Sequence, residues 1–399
     1  MKDKVVLAFS GGLDTSYCAI YLNQEQQLEV HAVAINTGGF SPEEAKKMTE
    51  RARLLGLEHF KVIDLTDDFY QKCIRYLIYG NILKNNTYPL SVSAERVFQV
   101  LGVVEYAREI GAKYIAHGST GAGNDQVRFD LLINILAPEM EIITPIRDQQ
   151  LTRKQEVDYL ANHGVEWQWE KAKYSINKGL WGTSVGGAET LTSDQPLPEE
   201  AYPSQLQKQD PVTVTIDYEQ GQPVAFNGHK PGNPVDVIRQ LEGIASLYAI
   251  GRDIHVGDTI IGIKGRVGFE AAAPLILIKA HHTLEKHVLT KWQLHWKEQL
   301  GNWYGMMLHE GQYLDPVMRN IETFLQDTQK TVTGKVHIRL APYRFEILGI
   351  ESEFDLMSAK FGSYGEINRA WSGDDVKGFT KIIANQLKIF YQVNPMQND

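Results

Sequence analysis

The stretch Val5-Val6-Leu7-Ala8-Phe9-Ser10-Gly11-Gly12-Leu13-Asp14-Thr15-Ser16 decides the fold. A short apolar run is followed by two glycines and then by a segment of helical pattern from about Asp14 to Gln26, which reads as strand, tight loop, helix. At such a junction glycines let backbone amides approach an anion, and the hydroxyls of Ser10, Thr15 and Ser16 donate to phosphate oxygens. The helix N-terminus adds its partial positive charge. The segment is thus expected to cradle a polyphosphate, the bland alternative being a plain glycine turn. Neither G-x-x-x-x-G-K-[ST] nor G-x-G-x-x-G occurs, which argues against ordinary γ-phosphoryl transfer and against dinucleotide binding.

Further along, the same rhythm repeats. Val30–Asn36 and His59–Asp64 read as strands, and Ser41-Pro42-Glu43-Glu44 supplies an N-cap, a first-turn proline and a capping-box glutamate for a helix. Helical stretches over about 67–84 and 93–110, short strands at Tyr114–His117 and Glu141–Pro145, and a capped helix from Thr152 to about His163 complete the half. Strands alternating with helices imply right-handed crossovers and a parallel sheet. Past a boundary near 165–172, where Trp167, Trp169 and Trp181 interrupt the rhythm, the pattern changes. Val212, Val214 and Ile216 alternate, a turn through Gln220–Pro223 leads to Val224–Phe226, and a helix is expected near 234–249. A Gly-rich segment at 257–268, helices over about 275–299 and 315–327 and strands at 335–340 and 344–350 follow. An apolar helix over about 374–392 ends the pattern. The expected architecture is α/β: a parallel-sheet nucleotide-binding domain over 1–168, an α+β domain over 169–373, and a C-terminal helix in 374–399.

With 399 residues the chain has ample length for two or three domains, and 43% hydrophobic and 22% charged residues are ordinary for a globular protein. A net charge of −9 offers no general attraction to nucleic acid or to an anionic membrane, so neither is an expected partner. Only Cys18 and Cys73 are present, which gives no disulfide framework and no thiolate-rich zinc site and fits a reducing compartment. The N-terminal apolar run is too short for a signal peptide, and no stretch reaches membrane-spanning length, so a cytoplasmic protein acting on small solutes is expected.

A second loop, His117-Gly118-Ser119-Thr120-Gly121-Ala122-Gly123-Asn124-Asp125-Gln126-Val127-Arg128-Phe129-Asp130, directly follows a strand. It concentrates an amide, a carboxylate, a guanidinium and a hydroxyl where open α/β sheets bind ligands. Arg128 can hold a carboxylate, while Thr120, Asn124 and Asp125 suit an amino acid bearing both ammonium and carboxylate. A solvated polar turn capping a helix is the structural alternative.

The first string resembles the PP-loop of the ATP pyrophosphatases, which cleave ATP between the α- and β-phosphates. The second closely resembles the argininosuccinate synthase family, whose string reads H-G-A-T-G-K-G-N-D-Q-V-R-F-E, and the resemblance runs over most of the chain. It implies an ATP-dependent C–N ligase that joins citrulline to aspartate through a citrullyl-adenylate, with Mg²⁺ accompanying the phosphates, in a homotetramer. By the same resemblance Ala8 to Ser16, Ile35 and Gly118 contact ATP. Thr120, Asn124 and Asp125 hold aspartate, and Tyr88, Ser93, Asn124, Arg128, Ser175 and Ser184 hold citrulline. Asp125 and Arg128 act by positioning, with no covalent nucleophile and no protein metal ligand.

Three departures stand out. Pro89-Leu90-Ser91-Val92 replaces the usual Leu-Leu-Gly-Thr, Gly257 stands where the family has a citrulline-binding Glu, and Phe269 where it has a Tyr. Asp258 and Glu270 are the nearest substitute carboxylates. Two other readings stay open: a tRNA-modifying or amide-forming PP-loop enzyme, which the charge and cysteine count disfavour, and a non-catalytic nucleotide-binding relative. His281, His282 and His287 read as structural, Cys18 and Cys73 as apolar fillers, and Trp292, Trp296 and Trp303 as core or interface aromatics.

Overall fold

Alternation within the first strand sets the N-terminal architecture. In β1 (Lys4–Ala8), Val5 and Leu7 point into one apolar cluster and Val6 into another, so the strand is covered on both faces, as a parallel strand between helical layers must be. The computed structural model describes residues 2–121, 123–165, 173–357 and 370–394. From β1 the chain runs through α1 (Leu13–Gln24), β2 (Glu29–Asn36), α2 (Pro42–Leu54) and β3 (His59–Asp64). Next come α3 (Thr66–Phe69), a π-helical turn at Tyr70–Ile74, α4 (Arg75–Tyr79), α5 (Ser91–Glu109), β4 (Tyr114–Ala116) and α6 (Asp125–Leu136). β5 (Glu141–Ile143), α7 (Pro145–Asp148) and α8 (Arg153–Asn162) close the half. The strands form one parallel sheet in the order β3-β2-β1-β4-β5. The first three strands are laid down in one direction and the next two on the other side of β1. The C-terminal ends of β1 and β4 therefore flank a crevice at the switch point, where such sheets bind ligands.

Two antiparallel sheets follow. One, ordered β10-β11-β7-β6, combines the hairpin β6 (Ser175–Gly179) and β7 (Gly182–Gly186) with the hairpin β10 (Arg252–Asp258) and β11 (Lys264–Glu270). The other, ordered β13-β12-β8-β9, contains β8 (Val212–Glu219), β9 (Gln222–Phe226), β12 (Gly334–Ala341) and β13 (Arg344–Glu351). The helices α9 (Pro234–Ala245), α10 (Ala272–Val288), α11 (Lys291–His309) and α12 (Pro316–Asp327) complete this half. One apolar cluster runs from Val6, Val33 and Phe98 to Ile216, Leu277 and Ile338, so the two halves share a core. The compact unit extends to Glu353. The other unit begins at Phe354, and its described helices are α13 (Gly373–Ile383) and α14 (Asn385–Val393).

Several expectations change. The stretch 67–84 is not one helix: the π turn interrupts it, and the α-helical part ends at Tyr79. The Gly-rich 257–268 is largely the hairpin β10–β11, and 275–299 is two helices separated at Leu289–Thr290, where Thr290 begins a new capping box with Gln293. The tail is a pair of helices, and Trp167 and Trp169 lie outside the described residues. Trp292, Trp296 and Trp303 are exposed, which removes the core reading for them, whereas Trp181 is fully buried. Cys18 and Cys73 are buried with their thiols pushed up by burial, as apolar fillers should be. No helix among the described residues is long and apolar enough to cross a membrane.

The Ser41 capping box forms as its sequence signals. The Ser41 hydroxyl accepts from the Glu44 amide at 3.2 Å, while Glu44 Oε2 accepts from the Ser41 amide at 2.7 Å. Helix α2 in turn carries Arg51, whose guanidinium donates to the Gly11 carbonyl of the first loop. Ser41→Ala is expected to cost about 1 kcal/mol, read as a lower urea midpoint for the sheet domain; an unchanged midpoint would refute a role for this cap in anchoring α2.

Candidate functional site

The first loop is held by its own hydroxyls. Gly11 has φ +71°, a left-handed conformation that favours glycine, and Gly12 caps α1. Ser16 Oγ and Thr15 Oγ1 both donate to the Gly12 carbonyl, at 2.7 and 3.3 Å, and Ser10 Oγ accepts from the Gly12 amide at 3.3 Å. Ser10 and Thr15 are also hydroxyl to hydroxyl at 3.2 Å. Ala8, Phe9, Ser10, Gly12 and Leu13 line a cavity together with Asp14 and Thr15, and Ile35 of β2 forms another part of its wall. Gly11 is not on that wall, and neither is Ser16, which is buried beneath the loop.

The second loop reaches the first through Gly118. A Cβ there would stand 3.1 Å from Asp14 Cβ and 3.3 Å from the Thr15 nitrogen, so only glycine lets the two backbones meet this closely without displacement. His117 fixes the loop's start. Its Nδ1 accepts from the Ser119 amide at 3.3 Å, so Nε2 carries the proton and donates to Asp130 at 2.9 Å. Arg147 reaches the other Asp130 oxygen at 2.6 Å. At the far end Asn124 precedes α6, and its Oδ1 accepts from the Ile260 amide at 2.8 Å, which ties the loop to the β10–β11 connection and leaves the Nδ2 donor for a ligand.

Asp125 sits between two arginines. Arg96 Nε donates to Oδ2 at 2.9 Å and Arg128 NH1 to Oδ1 at 2.9 Å. Burial alone would raise the Asp125 carboxyl, but the two guanidiniums outweigh it and hold it below its ordinary value. Arg128 is itself buried. Its Nε donates to the His309 carbonyl at the end of α11 at 2.9 Å, and NH2 lies 3.4 Å from His309 Nδ1. Burial, with Arg128 next, pushes His309 down to about 3, so its ring is neutral beside the guanidinium.

Tyr88, Ser93, Ser175 and Ser184 all line the same cavity, as do Thr120, Asn124 and Asp125. Tyr88 bonds Ser91 Oγ at 3.1 Å and accepts from the Val92 amide at 3.1 Å, while Ser93 Oγ donates to the Leu90 carbonyl at 3.2 Å. The substituted Pro-Leu-Ser-Val segment puts Leu90 at φ 64°, a left-handed turn that starts α5. Ser184 lies opposite Asn177 in the β6–β7 hairpin, with Asn177 Nδ2 3.5 Å from its hydroxyl.

At Gly257 the missing carboxylate has a physical counterpart. A Cβ at this position would fall 2.6 Å from His255 Nε2, so the His255 ring fills the space that a longer side chain would need. That ring stacks on Tyr88 at 5.2 Å, and Phe269 packs on the same tyrosine at 5.4 Å. Asp258 is exposed and paired with Lys264 at 2.7 Å, and Glu270 is buried against Arg252 at 3.0 Å, off the cavity wall. The residue that reading the sequence missed is Glu95 of α5. It is 4% exposed, it lines the cavity, and its Oε1 has no hydrogen-bond partner among the described residues. Burial pushes its carboxyl up to about 8, opposed by Arg96 and the Leu180 amide. Gly179 makes room for it: a Cβ there would overlap Oε1 at 1.8 Å. Arg96 was missed as well. The available signal was the pair Glu95-Arg96 set among the apolar Ala94, Val97 and Phe98 of α5, because charges that cannot reach water need partners.

The cavity measures about 1020 Å³, at the upper end for a single ligand, and Arg96, Arg128, Arg153, Lys178 and Arg266 on its wall offset the acidity of the chain. Residues 4–166 match the family described as "Arginosuccinate synthase N-terminal HUP domain", and residues 174–390 match "Arginosuccinate synthase C-terminal domain". The chain is 36% identical over 401 residues to an argininosuccinate synthase of Dictyoglomus thermophilum, with 100% of both chains covered. It is 37% identical over 369 residues to one of Methanocaldococcus jannaschii, covering 92% of this chain and 93% of the relative. With one of Xanthomonas campestris it shares 34% identity over 403 residues and 98% coverage of both. With both family models matched and relatives 36% and 37% identical over nearly its full length, the chain, whose two loops meet at the switch point of a parallel sheet, belongs to the argininosuccinate synthase family, ATP-dependent C–N ligases that join citrulline to aspartate.

Proposed function

We propose that the cavity carries out this ligation with the following roles. The loop from Ala8 to Ser16, with Ile35 and Gly118, holds ATP, and the citrulline ureido oxygen attacks the α-phosphorus in line. Pyrophosphate departs into the cradle formed by Ser10, Thr15 and the α1 N-terminus. A Mg²⁺ accompanying the phosphates would find the hydroxyls of Ser10 and Thr15 and the Asp14 carboxylate on the cavity wall, a donor set suited to an ion that the nucleotide carries rather than to an all-protein cage, and would supply neutralisation of the phosphate charge. The aspartate amine then attacks the activated ureido carbon and AMP leaves. Every step is helped chiefly by holding reactants in near-attack geometry, an effect worth ~7–11 kcal/mol at best.

The observation that carries this reading is the Arg96–Asp125–Arg128 clamp on the wall of the same cavity as Gly118. A carboxylate held below its ordinary pKa is a weak base and a good partner for an ammonium, so Asp125 orients aspartate rather than accepting its proton. Thr120 and Asn124 take the rest of the aspartate, and Arg128 with Tyr88, Ser93, Asn124, Ser175 and Ser184 takes citrulline. Glu95 supplies the carboxylate that Gly257 lacks. Its orphaned oxygen gains a partner, and its charge a counter-ion, when the citrulline α-ammonium arrives. We further assign residues 1–168 to nucleotide binding, 169–373 to the second substrate and 374–399 to assembly of a homotetramer. The two buried thiols suit a cytoplasmic enzyme.

Pyrophosphate release is expected to require both citrulline and aspartate. Arg128→Lys, which keeps the charge but loses the planar fork, is expected to lower kcat/KM by about 100-fold or more with ATP binding retained. Equal release with tRNA or glutamine in place of the two amino acids would overturn the assignment. Glu95→Gln is expected to raise the citrulline KM by about 10–100-fold and to leave the KM for ATP unchanged. The same variant has a pH signature. The folded pKa of Glu95 is raised, so its contribution to stability is full below the ordinary glutamate range and is lost as pH climbs to about 8. The urea midpoint of Glu95→Gln should therefore gain on the wild type between pH 5 and 8, and a constant gap would remove Glu95 from the role. Ending the chain at Ser372 is expected to lower the sedimenting mass below that of a tetramer; an unaltered oligomer would exclude the tail as the assembly element.

A further inference from the structure

At the end of the parallel sheet remote from the cavity, β2 and β3 bring together three side chains that the ligation does not use. Glu29 and His31 are two residues apart on β2 and so share a face, and His31 is the direct register partner of His59 on β3. The two imidazoles stack at 4.2 Å with 5° between their planes. Glu29 Oε1 lies 2.8 Å from His31 Nε2 and 3.8 Å from His59 Nε2, and one donor atom from each residue falls within 4.8 Å of the others. Among the described residues this is the one place where three His, Cys, Asp or Glu donors converge in this way.

We propose that Glu29, His31 and His59 bind a divalent transition metal of borderline softness, zinc foremost. Two imidazole nitrogens and one carboxylate oxygen form a three-ligand protein set for tetrahedral zinc, with a fourth position left to solvent. Ligand atoms around such an ion stand roughly 3.3 Å apart, as follows from zinc–ligand bonds of about 2.0–2.1 Å. The two spacings from Glu29, 2.8 and 3.8 Å, bracket that value, and the half-exposed Glu29 and exposed His59 side chains have the freedom to rotate onto an ion with the strands fixed. His31 is already oriented for the role. Its Nδ1 lies 3.3 Å from the Tyr106 hydroxyl of α5, and with Nε2 on the metal Nδ1 carries the proton and donates to that oxygen. The nearby cations are occupied elsewhere: Lys4 donates to the Ile110 carbonyl, and Lys61 pairs with Glu109 at 3.6 Å and lies over the Tyr106 ring. The Mg²⁺ that travels with ATP prefers six oxygens and does not compete for nitrogen donors. Bound here, zinc clips the edge strand β3 to β2 at the opposite end from the chemistry.

The test uses the full-length protein stripped of metal by a chelator and dialysed. Titration with Co²⁺ is expected to give the visible bands of four-coordinate cobalt, and competition against a chromophoric chelator is expected to give one equivalent of Zn²⁺ that millimolar Mg²⁺ does not displace. His59→Ala and Glu29→Gln, both surface changes, should each weaken that equivalent by more than about tenfold, and Tyr106→Phe should weaken it by about tenfold through its outer contact alone. Zn²⁺ should raise the urea midpoint of the wild type and not that of His59→Ala. Absence of the cobalt bands, or zinc held equally well by His59→Ala and Glu29→Gln, overturns the proposal.

Discussion

The site depends on a buried charge relay. Arg96 reaches Asp125 from α5, Asp125 holds Arg128 one turn along α6, and Arg128 ends on the carbonyl of His309 at the end of α11. Taking such charges out of water is costly unless each finds its partner, so the relay constrains three helices at once. The three hold because the same apolar core runs beneath them, from Phe98 and Phe129 to Leu308. The second loop takes its shape from this arrangement, since Asn124 caps the relay's middle helix and Asp125 begins it.

Local chemistry made much of this architecture readable. Capping boxes at Ser41 and Thr152, and the turn at Gln220-Gly221 with both residues at positive φ, are decided within a few residues and form where the sequence places them. The parallel rhythm of the first half follows for the same reason. The hairpins β6–β7 and β10–β11 were not legible, because each of their short strands carries at most two apolar residues in alternation, and the two hairpins are held by pairing with each other through Phe269 and Ser184. The π turn at Tyr70–Ile74 has no local breaker and belongs to tertiary packing.

Within the site the division is similar. Residues that reach the cavity wall from a fixed local motif, such as Ser10, Gly118 and Asp125, announce themselves by spacing. Glu95, Arg96 and His255 do not, because their significance comes from what packs on them: Gly179 for Glu95, Asp125 for Arg96, Tyr88 for His255. The departures at Gly257 and Phe269 are then one repacking. An imidazole and a phenyl ring both pack on Tyr88, and the buried carboxylate on the cavity wall is that of Glu95 in α5.

The bond from Arg128 to His309, and that from Asn124 to Ile260, bear on how such a chain can evolve. Each joins residues of the first matched region to residues of the second, and Arg128 and Asn124 both line the cavity. The first half produced by itself would expose the face of a core built for two, and would leave a buried guanidinium facing solvent in place of a helix end. The two regions are thus poor candidates for shuffling between enzymes, and exchange of one without the other would disturb the loop before α6 even where no loop residue is altered.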